Sequence, residues 1–343
     1  MKVSGALVER KHKFAIFWGG GLGDILTLRP LLIALEATLE TPPFFFTTAT
    51  HIQGLFSELG LKTRLHILPP KPAAALGTIR NHGVRFDWLY LGPHPRIKTR
   101  MLAHMVRARR IWSERHADVS PFVGEQVLAD VRGLGLQGPE TIHLPYGGKW
   151  RGAGTDGKTE NTPPYLVLHP GAKDRWETTR WPETHWTGLM RQMLSETDLE
   201  LLLVGVPSER SQLEALRENL KPAASSRVRV QADISLPRLA AAIDSSSGVI
   251  CHNSGILHLS AMLGKATVAV TGSSAIFWRP PYAHVVNVTS GACNIACNQY
   301  RCPVPFYRAK CIRHLQVADV MAAARRALLV DGSASPRADK LQV

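Results

Sequence analysis

The feature that most limits the fold is a rhythm. Short apolar runs alternate with longer helical patterns, and the whole alternation occurs twice. In the first half KFAIFW, PFFFTTAT, RLHILPP and DWLYLG read as strands, with DILTLRPLLIALEATL, HIQGLFSELG and AAALGTIRNHG as helices between them. In the first of these helices Ile25, Leu28, Leu31, Leu32, Leu35 and Leu39 recur at helical spacing. In the second half YLVLHPG, LELLLVGVP, SGVICHNSG and ATVAVTGSS read as strands running into loops. The helices there are PETHWTGLMRQMLSE, SERSQLEALRENL, SLPRLAAAIDSS, ILHLSAMLGK and, last, VADVMAAARRALL. Pro182 suits the first turn of its helix, and Ser208 suits the cap of the next. Strands separated by helices pair in parallel, under helices that cover the sheet, so the class is α/β.

Between the halves lies GGKWRGAGTDGKTENTP, rich in glycine, threonine and charge. It reads as a linker. The expected organisation is residues 1–150 and 164–330 as two Rossmann-like domains, 151–163 as the link and 331–343 as a disordered tail. A chain of 343 residues is long enough for two cores. Ligands of such sheets bind at the carboxyl ends of the strands, so the expected site is the cleft between the domains.

The loop FWGGGLGDILTLRP opens the first helix with Gly19, Gly20, Gly21 and Gly23 ahead of or beside Asp24. A glycine loop between strand and helix commonly cradles phosphate. The spacing here is G-x-G-x-G rather than the dinucleotide G-x-G-x-x-G, and PFFFTTAT ends without an acid for a ribose. A nicotinamide site is therefore disfavoured. The glycines are then either a phosphate cradle of another kind or clearance beside Asp24, which on the residues alone is either a first-turn helix acid or a reactive carboxylate.

The chain carries a formal charge of +14, which calls for an anionic partner. Arg96, Lys98, Arg100, Arg107, Arg109, Arg110 and Arg115 cluster with Glu114 as the single acid, and read as a basic helix face. No nucleic-acid-binding motif accompanies them, which leaves a basic adaptor as the non-enzymatic alternative. No run of about 18 apolar residues is present, and MKVSGALVERKHKF is too polar for a secretory signal, so a cytoplasmic location is expected.

Three loops of the second half follow strands directly and suit a diphosphate. HPGAKDRWETTRW offers His169, Lys173, Thr178, Thr179 and Arg180; CHNSGILH offers Asn253, Ser254, Gly255 and His258; VTGSS offers Thr271 and Gly272. Asn253 or Ser254 can cap the helix that follows, and His258 is equally at home as a packing residue. Trp176, Trp181 and Trp186 read as packing residues. Cys251 sits in an apolar strand. Cys293, Cys297, Cys302 and Cys311 have spacing C-x3-C-x4-C-x8-C, which suits either a closed structural Zn or Fe site or four reduced thiols.

Together, GLGDILTLRPLLIAL, HPGA…RWPETHW, VGVPSE and NSGILHLSAMLGKATVAVTGSS resemble glycosyltransferase family 9, the heptosyltransferases of lipopolysaccharide core assembly. CNIACNQYRCPVPFYRAKCI is similar to cysteine-bearing segments of that family and of its autotransporter-heptosylating relatives. The resemblance spans about residues 14–325. It implies a GT-B fold: two Rossmann-like domains facing a cleft, with the nucleotide sugar, ADP-heptose above all, on the second domain and the acceptor on the first. It implies inverting transfer without a catalytic metal. Asp24 matches the family's general base, and Glu209 the acid near the ribose. Gly23, Lys173, Thr178, Thr179, Arg180, Asn253, Ser254, Gly255, His258, Thr271 and Gly272 fall on the donor loops. The acceptor is expected to be an anionic glycolipid at the inner membrane surface, with peripheral membrane contact, or a protein. The family's K-R-W-P is here Thr179-Arg180-Trp181-Pro182, and its D-S-G is Asn253-Ser254-Gly255. Both departures concern the sugar end of the donor.

Overall fold

A computed structural model of the chain describes residues 8–19, 21–81, 83–93, 97–106, 108–143, 163–171, 177–272, 277–293, 302–304, 306 and 308–328. It divides into two compact units, Met1–Ile142 and His143–Val343.

In the first unit the order is β1 (Phe14–Phe17), α1 (Leu22–Thr38), β2 (Phe44–Thr47), α2 (Gln53–Glu58), β3 (Arg64–Ile67), α3 (Pro72–Asn81), β4 (Phe86–Tyr90), α4 (Ile97–Met105), β5 (Ala108–Trp112) and α5 (Val123–Gly133). The five strands form one parallel sheet in the order β3-β2-β1-β4-β5. β1 and β2 are buried along their whole length, as expected for strands covered on both faces. α1 runs unbroken through the buried Pro30, as the sequence pattern predicts.

The second unit continues with β6 (Tyr165–His169), α6 (Glu183–Glu196), β7 (Glu200–Val204), α7 (Arg210–Glu218), α8 (Pro222–Ser225), β8 (Val228–Gln231), α9 (Leu236–Ser245), β9 (Gly248–His252), α10 (Gly255–Met262), β10 (Thr267–Val270), β11 (Val285–Val288), α11 (Lys310–Arg313) and α12 (Val317–Leu328). Its six strands are parallel in the order β11-β10-β9-β6-β7-β8. Counted from the first strand of each unit, both sheets start 3-2-1-4-5. The chain therefore reverses direction across the sheet between β1 and β4, and again between β6 and β9. At such a reversal the loops diverge to opposite faces and leave a crevice. No helix among the described residues is long and apolar enough to cross a membrane.

Two expectations need correction. The basic cluster is not one helix face. α4 ends at Met105, and Arg109 and Arg110 lie on β5, the edge strand. There Arg109 pairs with Asp87 at 3.6 Å and Arg110 lies over the Trp88 ring at 5.1 Å. Charges along an edge strand block pairing with another sheet, and they also hide the strand pattern in the sequence. Nor does Ser208 cap a helix. Pro207–Glu209 is a 3-10 turn, and the residues at the N-caps of this turn and of α7 are Val206 and Glu209.

The carboxyl ends of β4 and β5 are fastened by a buried acid. Asp130 on α5 is fully buried and accepts from Tyr90 Oη at 2.7 Å, Trp112 Nε1 at 2.7 Å and His116 Nε2 at 2.9 Å. Gln126 holds the same loop, donating to the carbonyls of His116 at 2.8 Å and Ser120 at 2.9 Å. The hydrogen bond to Asp130 raises the His116 proton affinity above its ordinary value, with burial opposing. A raised histidine stabilises the fold fully below its unfolded value of 6.5, and that contribution is lost as pH climbs through the folded value. Unfolding free energy measured in urea should therefore fall more steeply between pH 6 and 9 for the native chain than for His116→Gln. Equal slopes would show that the pair does not contribute this linkage.

Candidate functional site

In the first unit, Asp24 is the third residue of α1, in the loop that follows β1 at the switch point. Its Oδ2 accepts the Gly21 N–H at 2.8 Å, so the carboxylate folds back over its own loop. A Cβ on Gly19 would stand 2.7 Å from Asp24 Oδ1, and one on Gly21 2.9 Å from Oδ2. Both glycines are needed to make room for the acid; Gly20 lies outside the described residues. Trp18 Nε1 donates to the Asp24 carbonyl at 3.0 Å, and the Thr27 hydroxyl to the Gly23 carbonyl at 2.9 Å. The Trp18 ring covers Gly92, just past β4, whose φ is +73° and whose Cβ, if present, would overlap the ring. Trp18 thus clamps together the two loops that flank the β1/β4 crevice. It escaped the sequence reading, although a tryptophan beside a glycine run is a visible signal.

The second unit holds a similar carboxylate, on the strand next to its own switch point. Glu209 ends the 3-10 turn after β7, and its Oε2 accepts the Val206 N–H at 2.9 Å. Cβ atoms on Gly171 and Gly205 would collide with its carboxylate, the latter at 2.7 Å. His169, the last residue of β6, places Nε2 3.7 Å from Glu209 Oε2, and its Nδ1 lies 3.1 Å from Ser254 Oγ. Burial works against charge on Glu209, but His169, the Val206 amide and Arg180 outweigh it and hold the carboxyl below its ordinary range. Its Oε1 faces Gly171, where a Cβ would lie 2.3 Å away.

Ser254 occupies the N-cap of α10 with no side-chain bond to the helix amides, and Gly255 begins the helix. Asn253 is buried beside it at 9% exposure. His258, one turn in, is buried edge-on to Trp278 at 5.8 Å. Burial pulls it down to about 4, so it is neutral at pH 7. Thr178 and Thr179 are buried, and the Thr178 carbonyl lies where a Gly272 side chain would be. Gly272 therefore lets the loop before α6 close onto the end of β10. Thr271 is fully buried and donates to the Val288 carbonyl at 3.3 Å, so its hydroxyl serves the sheet. Arg279, absent from the sequence-derived set, donates to the Gly272 carbonyl at 2.6 Å, and burial lowers its proton affinity. Lys173 and Trp176 lie outside the described residues. Trp181 and Trp186 are buried, in keeping with a packing role.

The loop is held by His252, which is completely buried at the end of β9. Its Nε2 accepts from the Trp181 backbone N–H at 2.9 Å and from Trp186 Nε1 at 3.3 Å. Nδ1 therefore carries the proton and donates to the Gly171 carbonyl at 3.2 Å. Burial drives this imidazole down to about 3, so it stays neutral and keeps one tautomer. The signal in the sequence is a polar residue closing the otherwise apolar strand GVICH.

The cysteine reading finds no geometric support among the described residues, where no three His, Cys, Asp or Glu side chains form a group able to hold a metal. Cys311 is buried against Gly272, and the Cys302 thiol donates to the Val304 carbonyl at 3.3 Å. Cys297 lies outside the described residues.

Residues 139–307 match the family described as glycosyltransferase family 9 (heptosyltransferase). No curated protein matches the chain. Among solved structures, a family 9 glycosyl transferase from Veillonella parvula has TM-score 0.66 at 16% identity, covering 95% of this chain and 99% of that one. The ADP-heptose lipopolysaccharide heptosyltransferase II of E. coli has TM-score 0.64 at 15% identity, covering 92% and 98%. The iron-containing dodecameric glycosyltransferase TibC of enterotoxigenic E. coli has TM-score 0.54 at 12% identity, covering 94% and 77%. At these identities the likeness is one of fold, and that fold is GT-B.

The role of His252 is open to a direct test. His252→Leu fills much of the same space but strands two donors and one acceptor in the core. It should lower the unfolding free energy in urea by roughly 2–4 kcal/mol. A loss below about 1 kcal/mol would mean that these groups find other partners.

Proposed function

We propose that this chain, whose residues 139–307 match the family 9 model, is a glycosyltransferase that moves heptose from ADP-heptose to an anionic acceptor with inversion. The observation that carries the reading is the Glu209 site, which lies outside the usual needs of packing. A charged carboxylate stands at the β6/β7 strand ends, one oxygen tied to the backbone and the other facing the bare backbone of Gly171, next to a helix whose cap hydroxyl does not cap it. A carboxylate accepting from two hydroxyls suits the ribose of a nucleotide. The N-terminus of α10, with Arg180 on the neighbouring loop, suits its diphosphate. Asn253, Ser254, Gly255, Thr178, Thr179 and Lys173 complete the donor loops in this reading. His258, neutral and buried, supports them from behind.

Asp24 is the proposed general base. The acceptor hydroxyl loses its proton to the carboxylate as its oxygen bonds to the anomeric carbon. The bond from that carbon to the β-phosphate oxygen breaks, and ADP leaves with the electron pair. Charge builds on the departing diphosphate, and helix amides and a guanidinium aimed at it lower the barrier. The bond from Gly21 fixes the direction of the acid. No step in this scheme passes through a metal, and the cysteines take no part in it.

The charge of +14 supports an anionic acceptor. Arg100, Arg109, Arg110 and Arg115 are exposed on the first unit. A phosphorylated glycolipid core at the cytoplasmic face of the inner membrane fits this surface, with the chain bound there peripherally.

Asp24→Asn keeps an oxygen that can accept from Gly21, so the loop should survive. With ADP-heptose and a confirmed acceptor it should lower kcat about 10²–10⁴-fold while ADP binding, measured by calorimetry, stays within about threefold. Glu209→Gln should weaken ADP about tenfold. Asp24→Asn turning over at the native rate would remove the base, and unchanged ADP affinity in Glu209→Gln would remove the ribose contact.

A further inference from the structure

A surface helix ordinarily turns its apolar stripe to the core and its polar residues to water. α4 does the first and departs from the second. Ala103, with Val106 just past the helix, is buried in the same core as Phe17, Phe46, Leu89 and Leu91. The opposite face carries Arg100, Met101, His104 and Met105, all exposed, at the i, i+1, i+4, i+5 spacing of a single stripe. Met101 is 63% exposed and Met105 40%.

β5 continues this side of the first unit. Ile111 pairs with Leu89 in register, and paired residues of neighbouring strands project to the same face. Leu89 belongs to the core that α4 covers, so Ile111 and Arg109 stand on the α4 side of the sheet. The Arg109–Asp87 pair agrees, since Asp87 precedes Leu89 by one pleat. β5 ends the sheet, and Ile111 is 41% exposed. Among the described residues of the first unit, the exposed large apolar side chains are Met101, Met105 and Ile111, and all of them fall on α4 and β5.

The same stretch of chain carries one sign of charge. No acid occurs between Asp87 and Glu114, while Arg96, Lys98, Arg100, Arg107, Arg109 and Arg110 do. A second copy of the chain would bring the same cations against these, so an isologous contact is repelled. Nucleic acid would find cations, but Trp88, Tyr90 and Trp112 are buried, which leaves bases nothing to stack on here. An anionic bilayer answers both features. Its headgroups take the guanidinium groups, and its acyl boundary takes the methionine and isoleucine side chains. Methionine, unbranched and flexible, suits an irregular fluid surface.

We propose that the outer face of α4, together with β5, is a docking surface that seats the first unit on an anionic phospholipid bilayer, with Met101, Met105 and Ile111 entering the headgroup layer. The proposal rests on the membrane part of the reading above and names the surface that makes the contact. A few apolar side chains bind a bilayer weakly, and exposed cations are screened by salt, so the two signals act together.

The test is sedimentation of the full chain with vesicles, without donor or acceptor, so the result does not depend on whether heptose is transferred. Vesicles of phosphatidylcholine with about one-third phosphatidylglycerol should carry down the native chain, and pure phosphatidylcholine vesicles should bind it at least about tenfold more weakly. The triple change Met101→Ser, Met105→Ser and Ile111→Ser should weaken binding to the anionic vesicles at least about tenfold, with the thermal midpoint unchanged to within about 2 °C because the residues are exposed. Arg100→Glu, which reverses one charge, should weaken it by about tenfold or more. Native-like binding by the triple variant overturns the surface alone, since the chain would then reach the bilayer by another face. Equal binding of the native chain to neutral vesicles overturns it too. A native dimer that the serine changes dissolve, with vesicle binding unaltered, makes the face a self-contact and likewise overturns it. A native chain that binds neither kind of vesicle overturns the surface and the peripheral membrane reading together, and leaves the transfer reading to the Asp24 and Glu209 variants.

Discussion

A carboxylate lying on bare backbone is the constraint around which both units are organised. Asp24 and Glu209 each accept the amide three residues earlier, from Gly21 and Val206, and each folds back over the loop that enters its helix. The arrangement works only where the facing residues lack a Cβ: Gly19 and Gly21 in one unit, Gly171 and Gly205 in the other. An acid held by main chain has its direction set by the strand and helix that carry the loop. For a group that must meet a ligand at hydrogen-bond distance, this is a rigid mounting.

The loops can be rigid because their buried polar groups are paired. His252 ties three of them with one imidazole, and Asp130 accepts from three donors at once. Each would carry a desolvation penalty if left alone. Both sit at the carboxyl ends of strands, where parallel sheets leave loops to be fastened. Trp18 adds an aromatic clamp over Gly92 to the same purpose. Ser254 departs from the usual pattern. Its hydroxyl leaves the helix it would cap and lies against His169 instead.

Central strands were readable from the sequence because helices cover both faces, and such strands must be apolar throughout. FAIF, FFFT and GVICH show this directly. The edge strands β5, β8 and β11 were not. ARRIW, VRVQ and VVNV mix charge or polarity into short runs, since one side of an edge strand faces water. Caps were readable only as positions: a serine can sit where a cap belongs and bond elsewhere, because the choice depends on a residue distant in the chain.

By itself the sequence determined the α/β class, the parallel sheets, the glycine loop ahead of Asp24 and the three strand-end loops of the second half. Those follow from local periodicity and from glycine, which a chain can specify over a few residues. Only the tertiary structure decided that the glycines make room for the acid itself. It alone assembled Ser254, His169 and Glu209 from three different strand ends, and set His252 beneath the loop before α6. The physical reason is distance along the chain: His169 and Ser254 stand 85 residues apart in sequence and 3.1 Å apart in space. No local pattern encodes that meeting; it follows from β6 and β9 pairing in register.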